Sequence, residues 1–329
     1  MDRFRTTLSI QPATYSIGHS ERLMLLGSCF TEHIGARLQA GKFSLRINPF
    51  GIAYNPVSIA RCLERLLERT RPFSEDELFE HGGLWRSWDH HGSFAAPQRD
   101  EALRNMNEAY HADAAFLPAA NRILLTFGTA DVFYLRDSGR IVANNHKMPA
   151  DTFEQRRLSI EEIVGATANA LEKIKAGQPD LQVVLTVSPV RHLRAGAIAN
   201  QRSKATLILA CEALCRQFSW VQYFPAYELL LDDLRDYRFY NDDMVHPSEM
   251  ATTYIWERFM DTCFQKSTRQ VVERLDKLRQ ALQHRPLHPG SDAHRAFVQA
   301  QLDHISQLEK EYPALDFRKE RTHFEQQRG

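Results

Sequence analysis

Two short segments of this 329-residue chain carry side chains of the right type and spacing for nucleophilic chemistry. The first is Gly27-Ser28-Cys29-Phe30, which follows the apolar run Leu23-Met24-Leu25-Leu26 and precedes a helical pattern from Thr31 to Ala40. A strand that ends in a small-residue turn and feeds a helix start sets a side chain before free backbone N–H groups and the positive end of the helix dipole. That setting favours a thiolate and binds a developing oxyanion. Cys29 or Ser28 occupies the place. The second segment is Asn241-Asp242-Asp243-Met244-Val245-His246-Pro247, just ahead of a helix beginning near Ser248. Asp243 and His246, separated by two residues on a turn, can point the same way, so that the carboxylate orients the imidazole and stabilises its charged form. Each segment alone also has a plainer reading: a tight turn with a buried thiol for the first, a helix cap or a metal ligand for the second.

Other polar residues stand at strand ends. Arg191 and His192 follow the apolar run Leu181–Val187 on the edge where open α/β sheets bind ligands, and they suit a substrate carboxylate, phosphate or sugar hydroxyl. His146 and Lys147 are candidates of the same kind. Asp236 and Arg238 read as a structural pair that holds the loop leading to Asp243. No His/Asp cluster has metal-ligand spacing, and neither a Walker loop nor GxGxxG follows a strand, so no metal and no cofactor are expected.

These residues need a scaffold to position them. From Leu23 to about Phe264, short apolar runs alternate with helical patterns, the signature of a parallel sheet flanked by helices. Buried strands are expected at 23–26, 122–127, 181–187 and 220–223, with an alternating strand at 43–47. Asn55 caps a helix that has Pro56 at its first position, and Ser159 with Glu162 forms a capping box. The stretch 132–142 around Asp137-Ser138-Gly139 suggests a hairpin. Residues 71–96, rich in aromatics, histidine and glycine, read as an insertion that shapes the pocket. From Lys266 onward the chain is charged and helical, with one helix on either side of Arg285-Pro286-Leu287-His288-Pro289-Gly290. This tail is expected to pack on the domain or on a second subunit, as a homo-oligomer contact, with a lid as the alternative.

Lysine plus arginine equals aspartate plus glutamate at 41 each, so no overall field attracts nucleic acid or an anionic membrane. The N-terminal residues lack an apolar core before a small-residue cleavage site, and no run of about 18 apolar residues occurs, so a cytoplasmic protein without a membrane partner is expected. Five cysteines without CxxC spacing argue against both a disulfide framework and a zinc site.

The motif Gly27-Ser28-Cys29-Phe30 resembles the opening of the GSCFA family's name motif, with Thr31 in place of the alanine. The likeness continues through Asn48-Pro49-Phe50-Gly51, Phe127-Gly128-Thr129-Ala130, Ala143-Asn144-Asn145-His146-Lys147, Val187-Ser188-Pro189-Val190-Arg191-His192, Asn200-Gln201-Arg202-Ser203-Lys204 and the run from Leu234 into Asp243-Met-Val-His246. That family is similar to a branch of the SGNH (GDSL) hydrolases. The resemblance implies a flavodoxin-like three-layer α/β sandwich with a mainly parallel sheet of about five strands. It places a catalytic domain at 1–265 and a helical extension at 266–329. It puts Cys29 at the nucleophile and Ser28 before it, with Asp243 and His246 as the acid–base pair and Gly51 as an oxyanion-hole donor. The SGNH Gly-x-Asn-Asp block departs here to Gly128-Thr129-Ala130-Asp131, so the asparagine donor is missing, and a backbone N–H, Thr129 or Asn145 is the candidate substitute. The implied activity is hydrolysis or transfer of an acyl group, most simply O-acetyl, on a carbohydrate or small metabolite through Cys29 or, alternatively, Ser28. A catalytically inactive ligand-binding or regulatory protein on the same fold is the competing reading.

Overall fold

The structure, a computed structural model, describes residues 6–328. In chain order the first half runs β1 (Arg22–Gly27), α1 (Cys29–Ala40), β2 (Ser44–Ile47), α2 (Pro56–Leu67), β3 (Leu78–His81), β4 (Leu84–Ser87), α3 (Arg99–Phe116) and β5 (Arg122–Phe127). Then follow β6 (Asp131–Leu135), β7 (Phe153–Arg157), α4 (Ile160–Gly177), β8 (Gln182–Val187), α5 (Ala197–Gln217), β9 (Val221–Tyr223) and a single turn α6 (Ala226–Glu228). The C-terminal part is α7 (Glu249–Cys263), α8 (Lys266–Gln283), α9 (Asp292–Glu311) and α10 (Arg318–Gln326).

Leu23 to Leu26 and Ile123 to Leu125 are buried because their strands lie in the middle of the sheet with helices over both faces. The five-stranded sheet has the order β2-β1-β5-β8-β9, and every pairing is parallel. Counted by position along the chain this is the doubly wound 2-1-3-4-5 arrangement, and its direction reverses between β1 and β5. One face of the sheet packs on α2, α3, α4 and α5 through residues such as Leu63, Tyr110, Leu171 and Leu207. The other packs on α1 and α7 through Ile34, Leu38, Ile255 and Phe259.

Local signals set the element ends. The Asn55 side chain accepts from the Ser58 N–H at 2.8 Å and Pro56 opens α2, a cap worth about 1 kcal/mol. Ser159 and Glu162 close the capping box of α4. Gly27 has φ +149°, and a Cβ there would run into the Thr126 carbonyl and the Thr31 hydroxyl, so only glycine allows α1 to start this close to β5.

Three sequence expectations need correction. The strand that returns to β6 is β7, ten and more residues beyond 142; Tyr134 and Ile141 form only an isolated bridge, because Gly139 closes a local turn back to Leu135. Among its described residues the tail has three helices, since α10 packs Phe324 into the apolar seam of α8 and α9 that the shorter sequence pattern did not reveal. The 71–96 insertion contains the β3–β4 hairpin and buries His90 against Phe50, Phe73 and Phe94; none of its residues lines the cleft at Cys29.

Candidate active site

At the carboxyl edge of the sheet, beside the reversal between β1 and β5, a cleft of about 360 Å³ opens. Cys29 and His246 both line it, together with Tyr54, Thr129, Asn145, Arg191 and His192. β1 delivers Cys29 as the first residue of α1, and Ser28 precedes it as the N-cap. The Asn48 side chain fixes the turn by accepting the Gly27 N–H at 2.9 Å, while the Gly27 carbonyl accepts from Ala53 at 3.1 Å. Cys29 is half-buried and faces the cleft; Ser28 is fully buried, lies outside the cleft lining, and its hydroxyl has no hydrogen-bond partner among the described residues. The two consecutive side chains therefore diverge, as a strand-to-helix turn requires.

Burial raises the Cys29 thiol above its ordinary range. The N–H groups of Phe30 and of Cys29 itself pull the other way, Glu32 adds to the rise and Lys204 opposes it. The helix N-terminus thus acts on the thiol as expected but is outweighed by desolvation. A base is needed to make the thiolate.

The Asp243–His246 loop brings a histidine to the same cleft. The Asp243 carboxylate accepts from His246 Nδ1 at 2.6 Å with one oxygen, and from the Val245 and His246 N–H groups at 2.9 Å with the other. These bonds hold Asp243 down at about 2, so it stays ionised and fixes the proton on Nδ1. His246 Nε2 is left as the nitrogen for proton transfer. The loop has Met244 at φ +56° and is pinned from the neighbouring strand end: the Arg191 N–H donates to Val245 O at 3.1 Å and its guanidinium to Met244 O at 3.0 Å.

The other sequence candidates divide. Gly51 lies apart, with its N–H on the Asn48 carbonyl and its Cα against His91. Thr129 lines the cleft, but its hydroxyl is engaged with Ser203 at 3.1 Å and accepts from the Asp131 N–H. Asn145 also lines the cleft; its carbonyl oxygen accepts from the Lys147 N–H, and its amide NH₂ has no partner among the described residues. His146 is buried, donates through Nε2 to Ser87 O at 2.8 Å and is pulled down to about 4 by desolvation, while Lys147 is exposed; neither lines the cleft. His192 does, packed edge-on against Tyr54 and held at about 4 by burial and by the nearby Lys204 and His246. Asp236 and Arg238 form an exposed ion pair at 2.8 Å.

Sequence reasoning missed Lys204. This lysine of α5 is 1 % exposed and has no carboxylate partner among the described residues; its Nζ donates at 2.7 Å to both Gly128 O and Ser188 O. It therefore ties the carboxyl ends of β5 and β8, whose following residues build the two walls of the cleft. Burial draws its ammonium down to about 7, with Cys29 as the opposing influence. The sequence did hold a signal: Lys204 lies on the stripe Asn200, Ser203, Leu207, Cys211 and Leu214, the buried face of α5. The insertion also acts on the site, at one remove, because the Trp88 carbonyl holds the Ala143 N–H at 2.8 Å next to Asn145.

Among the described residues no helix is long and apolar enough to cross a membrane, and no three His, Cys, Asp or Glu side chains gather as metal ligands. The model described as GSCFA family matches residues 22–259, and that described as GSCFA domain protein, C-terminal domain, matches 275–328. No curated protein matches the chain. Similar solved structures include an acetyl xylan esterase from the rumen bacterium Butyrivibrio proteoclasticus, 12% identical with TM-score 0.39, where the match covers 74% of this chain and 64% of that one. A carbohydrate esterase family 3 protein from Talaromyces cellulolyticus is 10% identical with TM-score 0.35, covering 77% of this chain and 98% of that one.

Proposed function

The chain belongs to the GSCFA family, and from that premise and the cleft geometry we propose that it is a cytoplasmic acyl hydrolase or acyltransferase with Cys29 as nucleophile. Residues 1–265 form the catalytic unit in this reading and 266–329 an extension that packs on it or on a second copy. The substrate is an acyl ester, most simply O-acetyl, of a carbohydrate or small metabolite. One observation carries the proposal: a half-buried thiol at a helix N-terminus and a histidine whose Nδ1 is committed to a carboxylate line the same cleft.

In the first half-reaction His246 Nε2 takes the Cys29 proton and the thiolate attacks the ester carbonyl carbon. The C–O bond to the alcohol then breaks as His246 returns the proton to the leaving oxygen, and a thioester remains. Water, or an acceptor alcohol, loses its proton to His246 and attacks the thioester; the C–S bond breaks and the thiol is reprotonated. The developing oxyanion is met by the N–H groups of the first turn of α1 and by the unspent Asn145 amide. Asn145 in this role replaces the donor lost in Gly128-Thr129-Ala130-Asp131.

A second reading, a ligand-binding or regulatory protein without turnover, is favoured by one observation, the upward push of burial on Cys29. Alkylation by iodoacetamide at pH 7.5, compared in wild type and His246→Ala, separates the two. Rapid modification of Cys29 that slows at least about tenfold in the variant supports the enzyme; equally slow labelling of both proteins supports the binding module.

A further inference from the structure

A second cleft, of about 260 Å³, adjoins the first and shares Arg191 with it. Its lining includes Gln201, Tyr227, Leu231, Tyr237 and Tyr240. Two of these are unusually open for their size: Tyr237 is 67 % exposed and Leu231 40 %. The Arg191 guanidinium sits 5.3 Å from the Tyr240 ring centre and, among the described residues, donates one hydrogen bond, to Met244 O at 3.0 Å. It is thereby fixed in place with most of its donors unspent.

The charges around this cleft are otherwise neutralised. Arg235 pairs with Asp232 at 2.9 Å, and Asp236, which also lines the cleft, pairs with Arg238 at 2.8 Å. Among the described residues Arg191 forms no ion pair, and neither does Arg194 on the Cys29 side, where Asp131 is already paired with Arg157 at 2.9 Å. Of the charged side chains that line the two clefts, Arg191 and Arg194 are those without an ion-pair partner among the described residues. A guanidinium held with an open fork matches a carboxylate or phosphate, while an open tyrosine ring and the NH₂ of Gln201, which has no partner among the described residues and whose carbonyl is taken by the Tyr227 hydroxyl, match the apolar face and hydroxyl edge of a sugar ring.

We propose that the second cleft is the subsite for the alcohol half of the substrate, a sugar ring that carries a carboxylate or phosphate, with the anion on Arg191 and the ring against Tyr237. Its role as the leaving-group side rests on the acyl-transfer reading; the binding itself does not. Loop geometry agrees with this placement, since the segment between Arg235, at φ +28°, and Met244, at φ +56°, carries Tyr237 and Tyr240 at one end and Asp243 at the other. A ligand seated there lies directly beside the His246 loop.

The test is isothermal titration of Cys29→Ala protein with galacturonate, glucose 6-phosphate and glucose. The proposal expects at least one of the two anionic sugars to bind about tenfold or more tightly than glucose, and the comparison of the two identifies the anion. Arg191→Gln in the same background is expected to weaken that ligand by about tenfold, and Tyr237→Ala, a change at an exposed side chain, by about threefold or more. Glucose binding as tightly as both anions, absence of binding by either, or unchanged affinity in both variants overturns it. Failure of the acyl-transfer reading would show separately, as turnover that survives Cys29→Ala, and would leave this titration interpretable.

Discussion

The two halves of the site are built in opposite ways. The Asp243–His246 half is mostly local and wet: three hydrogen bonds within four residues set the carboxylate and the ring, two from Arg191 brace the loop, and the two side chains are 48 % and 40 % exposed. The Cys29 half is assembled from distant segments and is dry underneath. Asn48 fixes the turn, Thr126 crowds Gly27, and the buried Lys204 ammonium joins the ends of β5 and β8 below. The contrast teaches where each kind of control sits. The exposed half sets the tautomer through short-range bonds, and the buried half acts on the charge of the sulfur chiefly through desolvation, opposed by the first N–H groups of α1 and, to a smaller degree, by Lys204.

Mutations should separate the halves, beginning with the largest effect. Cys29→Ala is expected to lower kcat for p-nitrophenyl acetate by about 10⁵-fold or more, because it removes the atom that carries the acyl group; residual activity within about tenfold of wild type would move the nucleophile elsewhere. Asp243→Asn should reduce kcat by on the order of 10³, less than the ~10⁴ expected of a buried carboxylate, since water can in part replace this exposed one. A loss of less than about threefold would make Asp243 a loop brace rather than an orienter.

Lys204→Met probes the buried half. Iodoacetamide alkylation of Cys29 at pH 6, where the Lys204 ammonium still holds its proton, is expected to slow by about threefold, as the cation that favours thiolate is gone. Stability should respond with a definite sign. Burial holds Lys204 at about 7 in the fold, against an ordinary 10.5 for the unfolded chain. Below 7 both states carry the proton and the fold bears the full penalty of the buried charge; between 7 and 10.5 the unfolded chain keeps a proton that the fold has released. The wild type should therefore gain Tm relative to Lys204→Met as pH rises from 7 toward 10. A pH-independent difference would show that Lys204 is not a buried titrating group. The smallest effect is expected of Ser28→Ala. Its hydroxyl is buried without a partner among the described residues, so the change should leave kcat within about twofold and shift stability by no more than about 1 kcal/mol. A dead Ser28→Ala enzyme would reverse the roles of the two residues.

How much of this was legible follows the same divide. The strand cores, the Asn55 and Ser159 caps and the Asp243–His246 spacing are short-range features, and the sequence announces them through apolar runs and fixed offsets. The five-stranded parallel sheet followed from helix-length crossovers between those runs. Lys204 was not visible as a site residue, because a lysine in a helix ordinarily faces water, and only the stripe from Asn200 to Leu214 hinted otherwise. The pairing of β6 with β7 was misjudged because Asp137-Ser138-Gly139 makes a genuine turn that does not continue into a ladder. The insertion was expected in the pocket; its aromatic and histidine content instead fills its own core around His90. Gly51 illustrates the limit of carrying a role across by likeness, since whether an N–H is free depends on a partner, here Asn48, that spacing does not reveal.

The central claim is that Cys29 becomes acylated. Rapid-quench intact mass spectrometry of Asn145→Ala and wild-type protein mixed with p-nitrophenyl acetate, followed by peptide mapping, tests it directly. One acetyl group on Cys29, absent from His246→Ala on the same timescale and lost on addition of hydroxylamine, is the predicted result. The other four thiols are expected to stay unmodified, Cys215 and Cys263 being pushed up by burial to about 11 and about 12 and Cys62 and Cys211 well above their usual range. Turnover with no label on Cys29, or an acetyl group on Ser28, would contradict the account.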